Sequence, residues 1–83
     1  MPTAYVLINC DLNHKTKVID ELSQLPGILE ASELHGAYDI LVKINLKTVE
    51  DLKETVKLHL KKITSIKSTV TLIAIEGTEK PLS

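Results

Sequence analysis

The chain has one cysteine, two tyrosines, no tryptophan or phenylalanine, and only three glycines and three prolines in 83 residues. Each shortage excludes something. A lone Cys10 forms no internal disulfide, which removes the class of disulfide-stapled secreted domains and fits a reducing compartment. No apolar run approaches the roughly 20 residues of a membrane-spanning helix, and nothing ahead of Pro2 has the pattern of a signal peptide. The expected location is the cytoplasm, without membrane contact. A formal charge of −1, a pI near 6.3 and only two aromatics lack the footprint of a free-standing nucleic-acid binder. No serine or cysteine sits in a nucleophile motif and no glycine-rich phosphate loop occurs, so neither catalysis nor a cofactor is expected.

What is present is the balance of a soluble globular protein, 43% hydrophobic and 25% charged. One domain over residues 1–77 is expected, with residues 78–83 as a tail. At this length a single core is marginal, so a partner subunit is expected to add to it.

Thr3 to Cys10 sets Ala4, Val6 and Ile8 on one face and Tyr5 and Leu7 on the other, the pattern of a strand covered on both sides. Asn13 offers a helix cap, after which Val18, Ile19, Leu22 and Leu25 recur at helical spacing until Pro26-Gly27. Ile28 to His35 alternates loosely, with Ile28, Glu30, Ser32 and Leu34 opposite Leu29, Ala31, Glu33 and His35. Its glutamates suit a sheet edge. Asp39 to Leu46 alternates most cleanly, with Ile40, Val42, Ile44 and Leu46 opposite Leu41, Lys43 and Asn45. Thr48 caps a second helix with the stripe Leu52, Val56, Leu60 and Ile63. Acids gather at its positive end and Lys57, Lys61 and Lys62 toward the other. Ser68 to Glu76, rich in β-branched residues, reads as the last strand.

This β-α-β-β-α-β order predicts an α+β, ferredoxin-like plait, a four-stranded antiparallel sheet with both helices on one face. If the helices cover Ala4, Val6, Ile8, Ile40, Val42, Ile44, Val70 and Leu72, the other face presents Tyr5, Leu7, Leu41, Ile73 and Ile75. Burial of such side chains is worth about 25 cal/mol per Å², and an apolar face of this kind marks an interface. The expectation is a two-fold homodimer that meets sheet to sheet through those five residues.

Chemistry concentrates in His35-Gly36-Ala37-Tyr38-Asp39, set between two apolar runs, and in Ser68-Thr69-Val70-Thr71 downstream. Gly36 permits a tight turn with positive φ. Spacing alone leaves two readings open. In one the turn is a pocket corner for a small zwitterion: Asp39 accepts from an ammonium, amides freed at the turn and the hydroxyls of Thr69 and Thr71 donate to a carboxylate, and Tyr38 walls the pocket. In the other Asp39 bonds the turn backbone and the threonines are ordinary strand residues. Cys10 with His14, His35 and His59 supplies metal-ligand types, which gives a metal-binding plait as an alternative, without the paired spacing of a structural zinc site. A structural assembly module without ligand is another.

Four segments in order, Ala4-Tyr5-Val6-Leu7-Ile8, Leu25-Pro26-Gly27-Ile28, Gly36-Ala37-Tyr38-Asp39-Ile40 and Ile66-Lys67-Ser68-Thr69-Val70-Thr71, resemble the effector-binding (RAM) domain of the Lrp/AsnC, or feast/famine, transcription regulators. The resemblance spans about Ala4 to Glu76. It implies a non-catalytic amino-acid sensing and oligomerisation module in transcription regulation that dimerises through its sheets and assembles into rings. The ligand would lie between dimers, against the residues matching Gly36, Ala37, Tyr38, Asp39, Thr69 and Thr71. Family regulators usually carry an amino-terminal winged helix-turn-helix, whereas here the plait begins at Thr3. The resemblance is therefore to a stand-alone module that does not bind nucleic acid directly and co-assembles with a full-length regulator. Ala37 stands where relatives are frequently acidic or polar, which weighs against a basic ligand.

Overall fold

The alternation of the first strand is realised residue for residue in the computed structural model, which describes residues 1–75, 77 and 78: β1 (Thr3–Cys10) buries Ala4, Val6, Ile8 and Cys10 and leaves the residues between them half-exposed. It is followed by α1 (Lys15–Ser23), β2 (Ile28–Glu33), β3 (Ile40–Asn45), α2 (Val49–Leu58) and β4 (Ile66–Ile73), with short 3₁₀ turns at Leu12–His14 and Leu60–Lys62. The sheet order is β2-β3-β1-β4 and every neighbouring pair is antiparallel. The expected plait is therefore the fold, with β2 at an edge as its glutamates suggest. The expected strand end at Glu76 and the tail beyond Thr78 lie outside the described residues. Among the described residues no helix is long and apolar enough to cross a membrane.

The core has two layers. One sheet face contributes the buried residues of β1 with Ile40, Val42 and Ile44, and the helical layer contributes Val18, Leu22, Leu52, Val56 and Leu60. Spacings of four residues put these helix side chains on one stripe. Thr48 caps α2 as expected: its Oγ1 accepts the Asp51 amide at 3.0 Å, and Glu50 and Asp51 sit at the positive helix end. Asn13 does not cap α1. Asp11 instead caps the 3₁₀ turn that leads into α1, its Oδ1 accepting the Asn13 amide at 3.0 Å, because Asp11 has the extended backbone a cap requires while Asn13 already lies inside that turn; α1 itself follows His14 with no side-chain cap. That amide, helped by His14 at 3.3 Å, holds the Asp11 carboxyl below the usual carboxylate range.

Two strands depart from the expected alternation. In β2, Ile28 pairs with Ile44 and Ala31 with Val42, because Leu29 is an extra residue ahead of Glu30. This bulge puts Ile28 and Ala31 on the same, helix-covered face and leaves Leu29 62% exposed.

β4 has the opposite parity to that expected. Tyr5 pairs with Leu72, Leu7 with Val70, Val6 with Thr71 and Ala4 with Ile73. Opposed residues of an antiparallel pair point to one face. Val70 and Leu72 therefore lie on the open face, 38% and 52% exposed, and Ile73, expected at the dimer surface, packs against the core instead. Ile75 lies past the strand and lines a cleft with Pro2, Val49 and Ile73 at the start of α2. The physical reason is the edge position. In the middle of β4 the helix-side Thr71 lies beside lysine stems of α2 at the sheet margin, so a threonine fits there and the apolar Val70 and Leu72 take the other face.

Candidate functional site

Gly36, at φ +134°, turns the chain between β2 and β3. The Leu34 amide donates to the Asp39 carbonyl at 2.8 Å, and the Asp39 amide donates to the Ile8 carbonyl at 2.9 Å, which stitches the turn to β1. The Asp39 side chain adds a third tie: Oδ2 accepts the Cys10 amide at 3.0 Å. Gly36 and Ala37 are exposed, whereas Tyr38 and Asp39 are half-buried. Asp39 thus bonds backbone, as one sequence reading holds, but across strands rather than within its own turn. Burial first, and the Asp39 charge second, push the Cys10 thiol up, so it is protonated at neutral pH and weak as a nucleophile.

Thr69 and Thr71 lie on the other side of β1, at the sheet edge, and both face the helical layer. Thr69 lines a cleft with Lys61 and Lys67; Thr71 lines one with Lys53, Lys57 and Lys61. Among the described residues no hydrogen bond joins the turn to either threonine. One chain therefore carries two separate candidate half-sites, a turn with a carboxylate and a groove with hydroxyls and lysines. Their charges are complementary to the two ends of a zwitterion.

Cys10, His14, His35 and His59 are spread over a strand end, a 3₁₀ turn, the β2–β3 turn and the end of α2. Among the described residues no group of three metal-ligating side chains forms. A helix-side cleft of about 460 Å³, between α1 and the end of α2, is lined by Lys17, Leu25, Leu58 and His59 among others. Leu58 is a stray leucine by helical spacing, and its place here has no sequence signal.

On the open sheet face, Tyr5, Leu7 and Leu41 stand together as expected, and Val70 and Leu72 complete the surface. The Lys43 ammonium lies 5.9 Å from the Tyr5 ring centroid and borders it. Val70 and Leu72 escape a reading of alternation because both faces of β4 carry apolar residues, and only pairing with β1 decides between them.

Residues 3–80 match the family model of the Lrp/AsnC ligand binding domain. A 55-residue segment, 65% of this chain, is 36% identical to the homocitrate synthase of Sulfurisphaera tokodaii, of which it spans only 12%. The crystal structure of TTHA0845 from Thermus thermophilus superposes with a TM-score of 0.89 at 29% identity, covering 96% of this chain and 100% of that one. The transcriptional regulator NMB0573 of Neisseria meningitidis, solved as its L-Met complex, shares the fold with a TM-score of 0.82 at 11% identity, over 95% of this chain and 53% of the regulator.

Proposed function

The chain belongs to the Lrp/AsnC ligand-binding domain family, and from that premise we propose that it senses an amino acid by assembling. Its role is effector binding of a regulatory, non-catalytic kind. In the proposed mechanism two copies pair through their open sheet faces, and dimers then meet so that the turn of one chain approaches the threonines of another. The ligand lies in that junction. The open face carries this reading: Tyr5, Leu7, Leu41, Val70 and Leu72 form an apolar surface that the chain's own helices leave uncovered.

The half-sites suit an amino acid. The free oxygen of Asp39 accepts from the ammonium, the hydroxyls of Thr69 and Thr71 donate to the carboxylate, and Gly36, Ala37 and Tyr38 shape the wall. Each charge-assisted bond adds roughly 1.5–3 kcal/mol when water is excluded. L-methionine in the Neisseria meningitidis regulator supports the ligand class. Because the site is complete only where dimers touch, ligand binding favours the larger assembly by mass action. That assembly is the output signal, delivered in the cytoplasm by co-assembly with a full-length regulator. The segment shared with homocitrate synthases favours a second arrangement, in which the sensor serves an enzyme instead of a DNA reader.

Light scattering on the purified chain, with and without each amino acid, tests the proposal. A dimer whose mass rises with one ligand supports it. A monomer indifferent to all of them sinks it.

A further inference from the structure

The threonine half-site carries more charge than a neutral amino acid needs. Two adjoining clefts, of about 300 and 470 Å³, share Lys61 and are walled by Lys53, Lys57, Lys61, Lys67, Thr69 and Thr71. Among the described residues no carboxylate lines either cleft, and none of the four lysines forms an ion pair. Two of the three acids of α2 are turned elsewhere: Asp51 and Glu54 line a different cleft, with Leu46 and His59, while Glu50 lines neither lysine cleft. A helix macrodipole explains cations in the last turn of α2, but Lys53 lies in its first half, where the dipole gives a cation no advantage. Lys67 feels the Asp11 carboxylate, but Lys53, Lys57 and Lys61 have no acid lining their cleft; like charges gathered in this way repel one another, and an anion between them relieves that repulsion.

The turn half-site is correspondingly spare. Asp39 is its single carboxylate, and one of the two oxygens is held by the Cys10 amide. It can take one ammonium. We infer that the effector is an acidic amino acid, one ammonium and two carboxylates, with the ammonium at Asp39 and the carboxylates among the α2–β4 lysines and threonines. This rests on the amino-acid reading above and adds to it the ligand's net charge. A basic side chain would meet four ammonium groups, and a neutral amide would bring them one negative charge where an acidic amino acid brings two.

Calorimetry on the intact chain at low salt, with L-glutamate, L-aspartate, L-glutamine and L-lysine, tests the inference. An acidic ligand is expected to bind at least about tenfold more tightly than glutamine, an advantage that shrinks with added salt. Lys57→Gln and Lys61→Gln should abolish the advantage, weakening glutamate more than glutamine, while leaving the melting temperature unchanged; these side chains are exposed, so the variants fold. Lys17→Gln, in the other helix-side cleft, should keep it. Glutamine or lysine binding as tightly as glutamate, or a preference that survives both lysine variants, overturns the inference and leaves the sensor reading standing. If none of the wider set of amino acids binds, that reading fails and the inference fails with it.

Discussion

Asp39 Oδ2 accepts the amide proton of Cys10 at 3.0 Å, so a side chain at the β2–β3 turn completes the hydrogen bonding at the end of β1. Cys10 is also where β1 and β4 lose register, since Asn9 pairs with Ser68 but Cys10 pairs with Ile66. The carboxylate holds a strand end at an irregular step of the sheet.

Asp39→Ala removes that acceptor and leaves the amide of a buried residue unpaired, at an expected cost of about 1–3 kcal/mol. Asp39→Asn keeps an acceptor oxygen and should cost less, yet it removes the charge that the proposed ligand ammonium would meet. Denaturant titration should rank the variants Ala below Asn below the parent, while calorimetry should show amino-acid binding weakened in both.

Gly27 and Gly36 both have positive φ, but they differ in their surroundings. A β-carbon on Gly27 would lie 2.5 Å from Leu46 Cδ2 and 3.0 Å from the Asn45 carbonyl oxygen, whereas one on Gly36 would meet nothing within 4 Å. Gly36→Ala should cost backbone strain alone, about 1–2 kcal/mol. Gly27→Ala should add about 1–3 kcal/mol for displacing Leu46. Thermal melts of the two variants should separate in that order.

Leu72→Glu places a carboxylate on the open sheet face, on the edge strand beside Tyr5. If that face joins two copies, the variant should sediment as a monomer at micromolar concentration. Leu12→Glu, at a leucine 70% exposed in the turn before α1, should leave the mass unchanged. Equal masses for both variants would remove the sheet-paired dimer.

Thr48→Ala deletes the oxygen that accepts the Asp51 amide and should destabilise the fold by about 1 kcal/mol, read as a lower denaturant midpoint with an unchanged slope. This cap is legible in the sequence because its signal is local: a threonine, acids in the next turn and an apolar stripe after it. The order of elements along the chain, the edge character of β2 and the core faces of β1 and β3 are legible for the same reason. The parity of β4 is not. It is fixed by Leu7 meeting Val70 from the other end of the chain, and a slip of one residue exchanges the two faces. The site is legible as residue types but not as an arrangement, since Asp39 and the two threonines fall on opposite sides of β1. Clustering of the α2 lysines against β4 likewise appears only when the helix is docked.

The Cys10 thiol, pushed up by burial and then by Asp39, should resist alkylation at neutral pH in the folded protein and react readily in denaturant. A thiol whose folded pKa exceeds its unfolded value contributes stability that is fully present below the unfolded pKa. That stability is lost as pH rises through the folded value. Melting temperature should therefore fall on the alkaline side, and Cys10→Ala should flatten this decline.

Leu29, the extra residue in β2, throws the outer amide row of that strand out of step and kinks the margin of the sheet. Another strand cannot zip along such a margin. One inserted residue thus works against edge-to-edge growth from the β2 side of the sheet.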